Sequence, residues 1–124
     1  MPGFDESRPI YMQIKDRLEE QIVTGQLQED EQIPSTTQLV HFYKINHLTI
    51  SKGIHMLVED GIIYKKRGVG MFVAKGARQK LLQRRKDRFV AQYIEPLLRE
   101  ADNLGMTKED VIDLIMLKRE ENRS

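Results

Sequence analysis

Ile33 to Val73 reads IPSTTQLVHFYKINHLTISKGIHMLVEDGIIYKKRGVGMFV. Two short helical patterns flank a tight connection, and a two-strand ribbon with a basic, glycine-flanked tip follows at once. The order helix, turn, helix, wing predicts a winged helix-turn-helix, mainly α with one small β-hairpin. In that architecture the second helix fits a DNA major groove, and the wing reaches an adjacent groove or phosphate run.

The local signals within this stretch are specific. Ser35 with Gln38 three residues on forms a capping box, so a helix starts at Ser35 and runs to about Tyr43. Leu39, Val40, Phe42 and Tyr43 are expected on its buried side. Lys44–Ile45–Asn46 is the turn, and Asn46 is an N-cap for the next helix. That helix is expected from about His47 to Asp60, with Gly61 ending it. Ile50, Ile54, Leu57 and Val58 form its buried stripe. Its opposite face carries Leu48, Ser51, Lys52 and His55, with Thr49 at the edge. Gly53 inside a helix costs about 1 kcal/mol against alanine, which implies a close approach of the first or second helix. Ile62 to Lys66 and Met71 to Ala74 read as strands, and the glycines of Arg67–Gly68–Val69–Gly70 permit the positive φ of a short hairpin. A lone ribbon is marginal, so Ile62, Ile63, Phe72 and Val73 should pack on the helices.

Before this stretch, Ile10, Ile14, Leu18 and Ile22 recur every four residues. They predict an amphipathic helix from Pro9, suited to a first helical position, to Thr24, with Gly25 as its left-handed stop. A polar connection over 26–33 has Leu27 and Ile33 as core anchors. After the stretch, from Ala77, a helical pattern carries Leu81, Leu82, Phe89, Tyr93 and Leu97 along one side. Pro96 should kink or interrupt it. Leu104 to Thr107 is a connector, and Thr107 caps a last helix bearing Val111, Ile112, Leu114, Ile115 and Leu117. Residues 1–75 thus form one expected domain and 76–124 a helical tail. Such a tail cannot enclose its own core. A second copy of the chain is the expected cover, since closed two-fold dimers are the commonest assembly. The interface is expected at Leu82, Phe89, Tyr93, Leu97, Val111, Ile112 and Ile115.

The 124 residues hold 20 Lys and Arg, 19 Asp and Glu, and no cysteine. A net charge of +1 says little about partners, but its distribution is uneven. Lys65 to Arg88 contains ten basic residues and one acid, leaving ten basic and eighteen acidic residues elsewhere. Such a field orients a protein on a polyanion. No apolar run approaches the roughly 18 residues of a membrane span. The start, MPGFDESRPIY, lacks the basic and apolar parts of a signal peptide, so a cytoplasmic protein is expected.

Enzymatic signals are poor. His41, His47 and His55 have spacings that match no zinc pattern. His41 is expected near the buried side of its helix as a structural histidine. Glu29, Asp30 and Glu31 form an acidic loop without partners for acid–base work, and Gly68–Val69–Gly70 is too short for a phosphate loop. No catalytic residue, metal site or cofactor is expected. Double-stranded DNA explains more. Ser35, Thr36 and Thr37 offer hydroxyls and free N–H groups at a helix N-terminus. Asn46, His47, Leu48, Thr49, Ser51, Lys52 and His55 present a face that can enter a groove, where a thymine methyl would cover Leu48. Lys66, Arg67, Gly68 and Val69, with Lys65, form the wing. The competing reading is a winged-helix module that binds protein and never touches DNA; Lys65–Lys66–Arg67 argue against it.

The run of motifs Pro9–Ile10–Tyr11–x–Gln13–Ile14, Gly25–x–Leu27, Ile33–Pro34–Ser35, Leu39, Leu57–x–x–x–Gly61–Ile62 and Arg67–Gly68–x–Gly70–x–Phe72–Val73 resembles the N-terminal domain of GntR-family transcription regulators. The resemblance covers about residues 8 to 75. The short tail, with Leu104–Gly105–Met106–Thr107–Lys108–Glu109–Asp110, resembles the YtrA-type subfamily. The resemblance implies a dimeric regulator, usually a repressor, often of an operon for an ABC-type transporter; the two half-sites of such a dimer are expected about one helical turn, or a multiple, apart on a palindromic operator. It also implies contact roles for Ser35, Thr49, Ser51, Lys52 and Gly68. Thr37 and His47 stand where the family commonly has arginine, and arginine or proline, which implies a different operator, and Lys44 replaces the turn glycine. A small-molecule effector has two candidate places, the crevice between the winged domain and the tail or the dimer seam near Phe89 and Tyr93, and nothing selects the ligand.

Overall fold

Pro9 precedes the first helix as its N-cap rather than its first residue, because its carbonyl accepts from the N–H groups of Met12 and Gln13. The computed structural model describes residues 3–123. Helix α1 is Ile10–Val23, α2 is Thr36–Tyr43 and α3 is His47–Glu59. Strands β1, Ile63–Lys66, and β2, Gly70–Val73, form an antiparallel hairpin with Ile63 opposite Val73 and Lys66 opposite Gly70. Helix α4, Ala77–Phe89, runs into a π-helical turn, Val90–Ile94, then α5, Glu95–Asn103, and α6, Lys108–Arg123. The chain divides into two compact units, up to residue 83 and from residue 84. Helix α4 contributes to both.

The first unit is built around the periodic stripes. Ile14, Leu18 and Ile22 of α1 meet Ile50, Ile54 and Leu57 of α3, and all six are at most 2% exposed. Gly53 makes that contact possible: a Cβ there would stand 2.7 Å from the Tyr11 carbonyl oxygen. Leu27, Ile33, Leu39, Ile45, Ile62, Ile63 and Val73 complete the core, joined by Ala77 and Leu81 of α4. Leu81, expected in the tail, therefore packs inside the core of the winged unit.

Every expected cap forms. Gln38 N–H donates to Ser35 Oγ at 3.1 Å while Ser35 N–H donates to Gln38 Oε1 at 2.8 Å. Thr49 N–H donates to Asn46 Oδ1 at 2.9 Å. Gly25 and Gly61 take positive φ after α1 and α3. Two expectations on α2 are corrected. His41 is exposed, and Phe42 is 76% exposed. Leu39 alone is buried on this two-turn helix, with Val40 and Tyr43 packed at the core's edge. The apolar residues of so short a helix do not define which side faces inward.

The ribbon is not alone either. The backbone of residues 30–33 runs along β2: Asp30 N–H donates to Val73 O (2.7 Å), Val73 N–H to Glu31 O (3.0 Å) and Ile33 N–H to Met71 O (2.9 Å). This third edge was read as a polar connection. At the amino end, buried Gln13 ties down the leading segment by accepting from Asp5 N–H at 2.8 Å and donating to the carbonyls of Asp5 and Arg8. Phe4 lies edge-on to Tyr43, and the Arg17 guanidinium stands 4.0 Å from the Phe4 ring centre.

In the second unit, the expected interruption at Pro96 takes the form of the π turn. The wider ladder, with Glu95 N–H bonded to Val90 O, accommodates a residue that has no N–H and whose ring crowds the preceding turn. Gly105, at φ +68°, ends α5, and Met106 N–H reaches back to Ala101 O at 2.9 Å. Thr107 and Asp110 cap α6 reciprocally, at 2.9 and 3.1 Å. Ala101 is the only buried residue described in this unit.

Candidate nucleic-acid interface

Three pieces of the first unit carry the expected contact residues. The first is the N-terminus of α2. Ser35 Oγ accepts the capping hydrogen bond, which leaves its O–H as a donor. The first N–H groups of the helix, including those of Thr36 and Thr37, have no intrahelical acceptors. Thr37 is exposed and Thr36 half-buried. Hydroxyls, unpaired N–H groups and the positive helix end together suit a phosphate.

The second piece is the outer face of α3. Asn46 holds its start, with the carboxamide oxygen committed to Thr49 N–H. Leu48 is 82% exposed, on a helix whose other side is closed by the core. His47 and Ser51, one turn apart, approach with Nδ1 and Oγ 3.4 Å from each other. Thr49 and Ser51 are half-buried at the flanks of the face, while Lys52 is exposed. The Lys52 ammonium lies 4.1 Å from the centre of the Tyr11 ring, so α1 supplies a platform that spacing alone did not assign. His55 instead turns along the helix to Glu59, with Nε2 2.7 Å from Oε1.

The third piece is the wing. Val69 N–H closes on Lys66 O at 2.9 Å, with Gly68 at φ +77° as the residue that needs the left-handed region. Lys65, Lys66, Arg67, Gly68 and Val69 are all exposed. The Tyr64 and Phe72 rings stack at 5.6 Å, and the Lys66 ammonium stands 5.0 Å from the centre of Phe72. Tyr64 O–H donates to Asp30 Oδ1 at 3.1 Å. Its surroundings, then that bond and the negative charge of Asp30, push the phenol pKa above its ordinary 10.0. None of the fourteen expected residues is buried.

The basic segment between Lys65 and Arg88 is put to more than one use. Arg78 Nε donates to Val23 O at 2.9 Å, at the end of α1, and Lys80 Nζ donates to Asp60 O, at the end of α3. Both cations stabilise helix C-termini, where unpaired carbonyls gather negative potential. Charge counting could not separate these from the wing cations. Among the described residues no group of three or more His, Asp or Glu side chains could hold a metal ion, and no helix is long and apolar enough to cross a membrane.

An exposed polar helix with an apolar centre, a basic hairpin beside it and an anion-suited helix start make the first unit a DNA-binding winged helix-turn-helix. A model of the bacterial regulatory proteins of the gntR family matches residues 10–73. The chain belongs to that family, whose members regulate transcription by binding DNA and are not enzymes. It is 29% identical over 110 residues to the uncharacterized HTH-type transcriptional regulator YhcF of Bacillus subtilis, a match spanning 89% of each chain. It is 36% identical over 75 residues to the HTH-type transcriptional repressor NagR of the same organism, covering 60% of this chain and 31% of NagR. The solved structure of a GntR-family protein from Bacteroides thetaiotaomicron matches with a TM-score of 0.72 and 30% identity, over 91% of this chain and 98% of that one.

Proposed function

We propose that the protein is a homodimeric transcriptional repressor with a short, YtrA-type dimerisation tail. It acts in the cytoplasm on a palindromic operator of an operon such as one encoding a transporter. The observation that carries the reading is the outer face of α3, where Leu48, 82% exposed, is flanked by His47, Ser51 and Lys52. A large apolar side chain held in water gains from contact with a thymine methyl, and the hydroxyls and amine around it match base edges and phosphates. Ser35, Thr36 and Thr37 anchor the backbone, while Lys66, Arg67, Gly68 and Val69 engage the neighbouring groove. The name of NagR supports repression, and the match to YhcF, which extends over 110 residues and so beyond the winged unit, supports a tail of the same kind.

The second unit supports the dimer. Phe89, Tyr93, Leu97, Ile112 and Ile115 are between 38% and 57% exposed, and Val111 is half-buried. Leu82, also assigned to the interface, is half-buried and lies in the first unit. Two copies place two α3 helices about one DNA turn, or a multiple, apart.

Selecting bound fragments from genomic DNA with the purified protein tests this directly. The recovered fragments should share an inverted repeat with that spacing. Thr49→Ala and Lys52→Ala should each weaken binding to it by about 1 kcal/mol or more while sedimentation still shows a dimer. Fragments without a common motif would sink the reading.

A further inference from the structure

We propose that Gln32 is a positioning residue for the wing: its side-chain amide, bonded to the Val69 carbonyl, holds the hairpin tip in the shape that meets DNA. The proposal rests on the DNA reading above and deepens it.

Val69 is 61% exposed, so no core packing fixes the tip, and a two-strand ribbon is marginal in water. Gln32 supplies what the core does not. It forms a bridge with Phe72, and the backbone on both sides of it pairs with β2. This pairing directs its side chain along the strand toward the tip, where Nε2 donates to Val69 O at 3.2 Å. Gly70, at φ +147°, accommodates the amide; a Cβ there would collide with Gln32 Nε2. The same segment reaches Ser35, the cap of α2, three residues later. The tip and the α2 N-terminus, both proposed to touch the nucleic acid, are therefore joined through one short piece of backbone. The hydrogen bond is positional rather than structural, since Gln32 itself is exposed.

The test compares the wild type with Gln32→Met, which keeps length without a donor, and Gln32→Lys, which restores one. The probe is a duplex selected by the wild type from a random library. Gln32→Met should keep its thermal midpoint, lower the heteronuclear NOE of the Gly68, Val69 and Gly70 amides, and weaken binding about two- to tenfold, the range for one net hydrogen bond. Hydroxyl-radical protection should fade on the wing side only, and Gln32→Lys should recover both tip order and protection. Unchanged NOE values and protection in Gln32→Met would overturn the proposal. So would a Gln32→Lys variant that regains affinity only through a steeper salt dependence, with the tip still mobile. If the wild type selects no duplex, the DNA reading fails instead, and the tip order of the free variants still decides whether Gln32 holds the wing.

Discussion

The phenol of Tyr64 joins the root of the wing to the acidic loop through Asp30, at 3.1 Å. Because the folded environment raises its pKa above 10.0, the fold favours the neutral phenol. That contribution is fully present below the ordinary tyrosine value and is lost as pH rises through the raised one. Neutral and mildly alkaline solutions should leave the wing intact. The difference in tyrosinate absorbance between wild type and Tyr64→Phe should show a midpoint above 10, and Asp30→Asn should lower it by removing the neighbouring charge. A midpoint unmoved by Asp30→Asn would mean that the hydrogen bond does not persist in solution. At this scale the sequence was readable where chemistry is local. Leu48, with no apolar partner at helical spacing, is exposed as that spacing implied. His41 and Phe42 were not readable, because a helix of eight residues offers too few turns for spacing to define its inner side.

The close crossing of α1 and α3 is set by Gly53. Alanine at that position gains about 1 kcal/mol in helix propensity. Its Cβ, however, would meet a backbone oxygen at 2.7 Å, and a carbonyl on a packed helix cannot swing aside as a flexible side chain can. Overpacking should prevail, so Gly53→Ala should lose about 1–3 kcal/mol net in urea denaturation; a more stable variant would show that the helices separate easily. The crossing was legible as a mid-helix glycine, though not which helix came close. The caps at Ser35, Asn46 and Thr107 were fully legible, since each involves residues three apart. The pairing of residues 30–33 with β2 was not. It joins positions some forty residues apart through backbone groups, and its polar side chains carry no alternation to betray a strand. The π turn was legible only through Pro96, as an interruption of unspecified form.

For the whole molecule, the tail decides whether one reading head or two bind together. Ile115 is 49% exposed on a helix with no buried residue. Ile115→Glu should convert the proposed dimer to a monomer in sedimentation equilibrium. The circular dichroism of the winged unit should survive, and affinity for the two half-sites should fall to that of one. A dimer that tolerates the glutamate would place the seam elsewhere. The hold of Arg78 and Lys80 on two helix ends bears on how such a molecule would respond to its ionic surroundings. A cation tied to the protein's own carbonyls keeps its charge, but it must leave those bonds before it can contact a phosphate and release a counterion. Lys75 adds a weak pairing with Asp30, at 4.0 Å. With Lys52, Lys65, Lys66 and Arg67 as the proposed phosphate contacts, the logarithmic slope of affinity against salt should be about −3 to −4 per head and about twice that for a dimer. Two heads bound together would lose about 10⁴-fold in affinity between 50 and 200 mM salt, so operator occupancy would follow the ionic content of the cell even though the chain as a whole carries a net charge of only +1.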